Sequence, residues 1–123
     1  VQNLINTTGK SIYIEKEEML NAATAVSGSG PAYVFYFMQA MIESAVKLGF
    51  SLSEAEFLVS QTFSGSVQLQ NRSKLSNEAW IQRVASKGGT TEAALLVFNK
   101  NELQEIVIEG IEAANARAIE LGS

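Results

Sequence analysis

The segment with the clearest capacity for chemistry is residues 86–91, Ser-Lys-Gly-Gly-Thr-Thr, which runs directly into a predicted helix. The N–H groups in the first turn of a helix lack intrahelical acceptors and carry a partial positive charge. Gly88 and Gly89 would let a ligand approach the backbone closely, and Thr90 and Thr91 add hydroxyl donors. The segment therefore predicts a site for a carboxylate or a phosphate. An ordinary loop with a threonine N-cap is the alternative interpretation.

The composition excludes several other kinds of site. The chain contains no Cys and no His, which excludes disulfides, Cys/His metal sites and a catalytic histidine. A formal charge of −4 without a dense basic stretch argues against a nucleic-acid partner. The longest apolar run, residues 32–38, is far shorter than the roughly 20 residues of a membrane span, so no membrane association is expected. The missing Cys is compatible with a reducing compartment, and we expect a cytoplasmic protein.

A second glycine segment, Gly28-Ser29-Gly30-Pro31, matches no phosphate-binding pattern. It lacks the GxGxxG spacing of dinucleotide-binding folds, and the chain contains no GxxxxGK[ST] loop. We therefore expect no nucleotide site within these residues.

Helical periodicity dominates the chain from residue 17 onward and predicts an all-α bundle of about six helices. The predicted helices span residues 17–26, 29–48, 53–70, 77–85, 90–98 and 102–121. Ser53 and Glu56 have the spacing of a capping box, and Gly49 is expected to end the second helix. Ser76 is expected to cap the fourth helix and Thr90 or Thr91 the fifth, and residues 99–101 are expected to form the turn before the last helix. One short strand is predicted at residues 11–14.

The second predicted helix is apolar around nearly its whole circumference, apart from one polar stripe. Such a helix must be buried on almost all sides, which a chain of 123 residues can hardly achieve alone. The pattern predicts a homodimer, with contacts through this helix and its neighbours. The predicted contact residues are Tyr33, Phe35, Phe37, Met38 and Met41. The alternative is a central helix in a monomeric bundle.

Two segments in this order and spacing resemble the signature regions of the Δ1-pyrroline-5-carboxylate reductase family. They are VSGSGPAYVFYFMQAMIESAVKLGFS at residues 26–51 and SKGGTTEAALLVF at residues 86–98. The resemblance extends over almost the whole chain, from about Thr8 to Leu121. Residues 9–25 are similar to the stretch that leaves the family's Rossmann domain, and residues 102–122 to the family's last helix. One position departs from the pattern: the family often has Pro where this chain has Lys87. The added cation would either favour an anionic substrate or point to solvent.

The resemblance implies an oxidoreductase of proline biosynthesis that reduces the C=N bond of 1-pyrroline-5-carboxylate to L-proline. NADPH or NADH would be bound by a Rossmann domain that precedes Val1, and not by this chain. Residues 1–16 would form the linker from that domain, and residues 17–123 the helical dimerisation and substrate-site domain. Two such domains would interlock into a dimer.

For the site, the resemblance implies that the small acid substrate is held by the loop at residues 86–91. The expected substrate-binding residues are Ser86, Gly88, Gly89, Thr90 and Thr91, with Gly30 and Pro31 as a second wall. No catalytic side chain is identified, so water or the cofactor domain would deliver the proton. Two alternatives remain open: another NAD(P)-dependent dehydrogenase of two-domain architecture, and a non-enzymatic helical dimerisation module.

Overall fold

The computed structural model describes residues 3–7, 10–14, 17–86 and 89–122. The N-terminal part is a hairpin of two antiparallel strands, β1 (Asn3–Thr7) and β2 (Lys10–Ile14), in which Asn3 lies opposite Ile14. The sequence predicted only the second strand. β1 was missed because its Asn residues have low strand propensity, and pairing with β2 outweighs that preference.

The rest of the described chain is helical, which confirms the predicted all-α fold. The elements are α1 (Glu17–Ala23), a π-helical turn (Thr24–Gly28, the π turn), α2 (Gly30–Lys47), α3 (Leu52–Arg72), α4 (Asn77–Ala85), α5 (Gly89–Lys100) and α6 (Leu103–Gly122). None of the helices in the described ranges is long and apolar enough to cross a membrane.

The chain divides into two compact units. The first comprises Val1–Phe35 and Glu102–Ser123, and within it α6 contacts both α1 and the π turn. Ala25 is fully buried there. The second unit, Tyr36–Asn101, contains the rest of α2 with α3, α4 and α5, and Ala55 and Val59 of α3 are its buried apolar residues.

The π turn replaces the end of a helix that the sequence predicted to continue to residue 26. The Thr24 hydroxyl donates to the Leu20 carbonyl oxygen at 2.9 Å, and the Ser27 hydroxyl donates to that of Ala23 at 3.0 Å. These bonds to carbonyls four residues earlier compete with the helical backbone bonds. The Ser29 N–H then reaches the Thr24 carbonyl, five residues back, which is the spacing of a π-helix.

The N-cap of α3 is Ser51, two residues before the predicted cap at Ser53. Ser51 accepts a hydrogen bond from the Glu54 N–H at 3.2 Å, and the Ser51 N–H donates to the Glu54 carboxylate at 2.8 Å. The predicted capping box of Ser53 and Glu56 is therefore wrong: the sequence SLSEAE contains two overlapping matches, and the chain uses the earlier one. Hydrogen bonds from the Ser51 backbone and side chain lower the pKa of Glu54, because they stabilise its carboxylate form.

Residues next to the helix ends determine where the helices begin and stop. Gly49 has φ +116, which confirms its predicted role as the stop after α2. The Ser76 hydroxyl caps α4 by accepting from the Ala79 N–H at 3.1 Å, as predicted. The turn before α6 was placed at residues 99–101, but α5 continues to Lys100 and the left-handed residue is Glu102, with φ +57.

Candidate functional site

The first turn of α5 contains three of the predicted substrate-binding residues. The helix begins at Gly89, so Thr90 and Thr91 lie inside its first turn, and the prediction that one of them is the N-cap is wrong. Their N–H groups belong to the first helical turn, which lacks intrahelical acceptors. A Cβ atom added at Gly89 would meet no described atom within 4 Å. Open space therefore adjoins the backbone where a ligand would approach.

Ser86, which precedes this turn, has its donors engaged by α4. Its N–H bonds to the carbonyl oxygens of Gln82 and Val84, and its hydroxyl donates to the carbonyl oxygen of Arg83 at 2.9 Å. These bonds fix the end of α4 and engage both donors of Ser86. Gly88 and Lys87, also named from the sequence, lie outside the described residues.

Thr91 lines a groove in the second unit, formed by residues of α2, α3, α4 and α5. The groove has a volume of about 820 Å³. Its lining is mostly aromatic and aliphatic and comprises Phe37, Phe63, Ser66, Val67, Gln70, Asn77, Trp80, Ile81, Val84, Thr91 and Leu95. Phe37 and Phe63 meet edge to face at 6.3 Å, and the Gln70 amide donates to the Asn77 side-chain oxygen at 2.6 Å. Thr91 is thus a polar group at the border of an apolar surface.

Trp80 is the functional candidate that the sequence analysis missed. Its indole Nε1 is shielded from solvent and has no hydrogen-bond partner among the described residues. An unpaired buried donor costs about 1–3 kcal/mol. The guanidinium carbon of Arg83 lies 5.3 Å from the centre of the indole ring, a cation–π contact. In the sequence, the helical spacing of the apolar residues Trp80, Ile81 and Val84 was the signal that could have revealed the apolar face of α4.

The predicted second wall of the site lies in the first unit. Gly30 opens α2, and Pro31 is exposed in its first turn, where a missing N–H has no cost. A Cβ atom at Gly30 would also meet no described atom within 4 Å. In the described ranges, no group of three Asp or Glu residues is arranged to hold a metal ion.

Comparison with known proteins identifies the family. Residues 17–121 match the family described as pyrroline-5-carboxylate reductase dimerisation. The chain belongs to this family. It is 40% identical over 118 residues to a pyrroline-5-carboxylate reductase of Pseudomonas aeruginosa, an alignment covering 96% of this chain and 43% of that protein. It is 36% identical over 118 residues to pyrroline-5-carboxylate reductase 2 of Bacillus subtilis, covering 96% of this chain and 42% of the relative.

Solved structures of the family share the fold. A crystal structure of Plasmodium falciparum pyrroline carboxylate reductase with NADP bound aligns with a TM-score of 0.84 and 36% identity, over 89% of this chain and 42% of that one. A pyrroline-5-carboxylate reductase from Coxiella burnetii aligns with a TM-score of 0.83 and 39% identity, over 88% of this chain and 40% of that one. The family resemblance predicted from the sequence is confirmed. The chain spans less than half the length of these relatives.

The described sheet differs from the sheet of a dinucleotide-binding fold. Dinucleotide-binding folds place a glycine-rich turn between a parallel strand and a helix. The described sheet is a two-stranded antiparallel hairpin, and Gly30 follows the π turn.

Proposed function

We propose that this chain is the C-terminal helical domain of a pyrroline-5-carboxylate reductase, which reduces 1-pyrroline-5-carboxylate to L-proline with NAD(P)H. The observation that carries the proposal is the first turn of α5: a Gly-Thr-Thr sequence with open space beside Gly89, within a domain that belongs to this family. This turn offers what the substrate's carboxylate requires.

We assign substrate binding to the backbone N–H groups in the first turn of α5. A carboxylate accepts hydrogen bonds from free N–H groups and is favoured by the positive end of the helix dipole. Gly89, Thr90 and Thr91 supply the backbone donors and Thr91 a hydroxyl, with Gly88 completing the loop. Ser86 fixes the end of α4 from which the loop departs. The family resemblance additionally implies Gly30 and Pro31 as substrate-contacting residues.

The cofactor belongs to a Rossmann domain that precedes this chain. Residues 1–16 connect to it, and residues 17–123 supply dimerisation and the carboxylate site. The protein is cytoplasmic, a prediction that still rests on the sequence.

A homodimer is supported by the family to which the chain belongs and by the large apolar side chains that α2 exposes. Phe35 is 65% exposed and Phe37 40% exposed. We place the dimer contact on Tyr33, Phe35, Phe37, Met38 and Met41 of α2.

A domain exchange tests the proposal directly. The gene segment for residues 17–121 replaces the matching part of the Pseudomonas aeruginosa reductase, so that the relative's own cofactor domain is retained. The hybrid protein should oxidise NADPH only when pyrroline-5-carboxylate is present. The unmodified reductase is the positive control, and the isolated 123-residue chain, which we expect to be inactive alone, is the negative control.

The same hybrid discriminates between the alternatives. If it were dimeric and bound NADPH but reduced a different small acid in place of pyrroline-5-carboxylate, the chain would belong to another dehydrogenase of similar architecture. If it were dimeric, bound NADPH and reduced neither substrate, the chain would be a dimerisation module without a substrate site.

A further inference from the structure

The π turn lies directly before Gly30 and Pro31, the two residues of α2 that the family resemblance implies as substrate contacts. Turns of this kind are rare, and where they occur they are often found at functional sites. Regular α-helical bonding competes with the wider π-helical bonding, so specific hydrogen bonds have to maintain the turn. The position of Gly30 therefore depends on the groups that supply those bonds.

The hydrogen bonding of the Ala25 carbonyl distinguishes the π turn from an α-helix. In an α-helix this carbonyl would accept from the Ser29 N–H, four residues later. The Ser29 N–H instead donates to the Thr24 carbonyl at 2.9 Å, and the Ala25 carbonyl accepts from the Tyr33 hydroxyl at 2.7 Å. Because Ala25 is fully buried, its carbonyl would need another donor without Tyr33, and α-helical bonding would supply the Ser29 N–H.

Two further hydroxyls act on the same turn. Ser27 donates to the carbonyl of Ala23 at 3.0 Å, and Thr24 donates to that of Leu20 at 2.9 Å. Side-chain bonds of this kind compete with the backbone N–H groups for carbonyls four residues back and often bend a helix. Together with Tyr33, three side chains of the first unit therefore maintain the π-helical bonding.

We propose that Tyr33 is a positioning residue of the substrate site: its hydroxyl maintains the π turn and thereby sets the position of the Gly30 backbone toward pyrroline-5-carboxylate. The inference rests on the proposed function. A Cβ atom at Gly30 would meet no described atom within 4 Å, so the backbone there is open to a ligand. If the Ser29 N–H returned to the Ala25 carbonyl, the turn would lose its extra residue. Gly30 would then rotate relative to α1 by about 100°, the share of one residue in a helical turn.

Tyr33→Phe in the hybrid reductase is the first test, because it removes the hydroxyl and keeps the ring that we place in the dimer contact. The KM for pyrroline-5-carboxylate should rise roughly 2- to 12-fold, the equivalent of one lost hydrogen bond. The kcat and the KM for NADPH should stay unchanged. Tyr36→Phe is the control, since Tyr36 is 82% exposed, and it should leave all three constants unchanged.

Ser27→Ala and Ser44→Ala form a second pair of variants. Each serine hydroxyl donates to the carbonyl four residues earlier at 3.0 Å, Ser27 in the π turn and Ser44 within α2. Ser27→Ala removes a bond that maintains the turn and leaves Tyr33 in place, so the KM for pyrroline-5-carboxylate should also rise. Ser44→Ala should not change it. This pair tests the proposal even where Tyr33→Phe lowers the yield of folded enzyme.

Gly30→Ala tests the contact that Tyr33 is proposed to position. The added methyl group meets no described atom, so the fold should tolerate it. It occupies the space through which a ligand would approach the backbone, so the KM for pyrroline-5-carboxylate should rise at least about tenfold.

The outcomes separate this proposal from the proposed function. A hybrid reductase that does not reduce pyrroline-5-carboxylate would overturn the proposed function and the positioning role together. An active hybrid in which Tyr33→Phe and Ser27→Ala lower only the melting temperature, with the KM unchanged, would overturn the positioning role alone. An active hybrid whose KM is unaffected by Gly30→Ala would do the same, because the substrate would then not approach the start of α2.

Discussion

The hydroxyl of Tyr33 donates a 2.7 Å hydrogen bond to the carbonyl oxygen of Ala25, which lies in the π turn and is fully buried. The bond connects the start of α2 to a turn whose backbone departs from regular α-helical bonding. Tyr33 was predicted from the sequence only as a dimer contact. It therefore also has a role within the first unit, where it fixes the turn that precedes Gly30 and Pro31.

Replacing this hydroxyl should destabilise the chain. Tyr33→Phe keeps the ring but leaves the Ala25 carbonyl without its donor, which should lower the free energy of unfolding by about 0.5–1.5 kcal/mol. Tyr36→Phe is the matched control, since Tyr36 is 82% exposed and a surface change of this kind stays within about 0.5 kcal/mol. Urea titration of both variants measures the difference, and equal losses would show that the Tyr33 bond contributes nothing.

The left-handed backbone of Glu102 offers a substitution that should increase stability. A non-glycine residue at φ +57 is strained by about 1–2 kcal/mol. Glycine removes this strain, but its greater conformational entropy in the unfolded state offsets part of the gain. Glu102→Gly should therefore stabilise the chain by about 0.5–1 kcal/mol. Glu105→Gly, inside α6, should destabilise it by about 1 kcal/mol. Opposite shifts in the melting temperature are expected, and a loss in both variants would refute the strain at Glu102.

The capping box of α3 should make stability depend on pH. The pKa of Glu54 is lowered by its bonds to Ser51, so its contribution is present above the unfolded pKa, near 4.5, and is lost as the pH falls through the lower folded pKa. Wild type should lose more stability than Glu54→Ala between about pH 6 and pH 3. Glu56→Ala should follow wild type, because Glu56 is not the residue in the box. Identical pH profiles for wild type and Glu54→Ala would contradict this assignment.

Local chemistry was enough to predict much of this fold. Gly49 ends α2 and Ser76 starts α4, because a left-handed glycine and a serine cap act on their immediate neighbours. Ser51 and Ser53 could not be separated in the same way, since both have a glutamate three residues later. The π turn depends on hydroxyl bonds that compete with regular helix bonds, and β1 depends on its partner strand.

Of the candidate site, the loop at residues 86–91 was predictable from the sequence, and the groove was not. Residues 86–91 were identified because glycine and threonine at the start of a helix act locally: glycine exposes the backbone, and threonine adds a hydroxyl beside the free N–H groups. The groove on which Thr91 lies joins side chains from α2 to α5, and the unpaired N–H of Trp80 is visible only when those helices are packed. Sequence periodicity gives the apolar face of each helix but not which faces meet.

Gly89→Ala separates ligand binding from stability. No described atom lies within 4 Å of the added methyl group, and alanine is favoured over glycine in a helix by about 1 kcal/mol. The melting temperature should therefore stay the same or rise. In the hybrid reductase, kcat/KM for pyrroline-5-carboxylate should fall at least tenfold, because the methyl group occupies the ligand's approach to the backbone. Full activity in a stabilised Gly89→Ala variant would mean that the substrate does not approach there.

The measurement that tests the carboxylate site most directly is the steady-state kinetics of Thr91→Ala in the hybrid reductase, with the melting temperature recorded alongside. A hydrogen bond to a charged group contributes about 1.5–3 kcal/mol, so kcat/KM for pyrroline-5-carboxylate should fall roughly 10- to 150-fold. The KM for NADPH should stay unchanged, and Thr91→Ser should recover most of the activity. If Thr91→Ala lowers the melting temperature but leaves kcat/KM intact, the first turn of α5 does not hold the substrate.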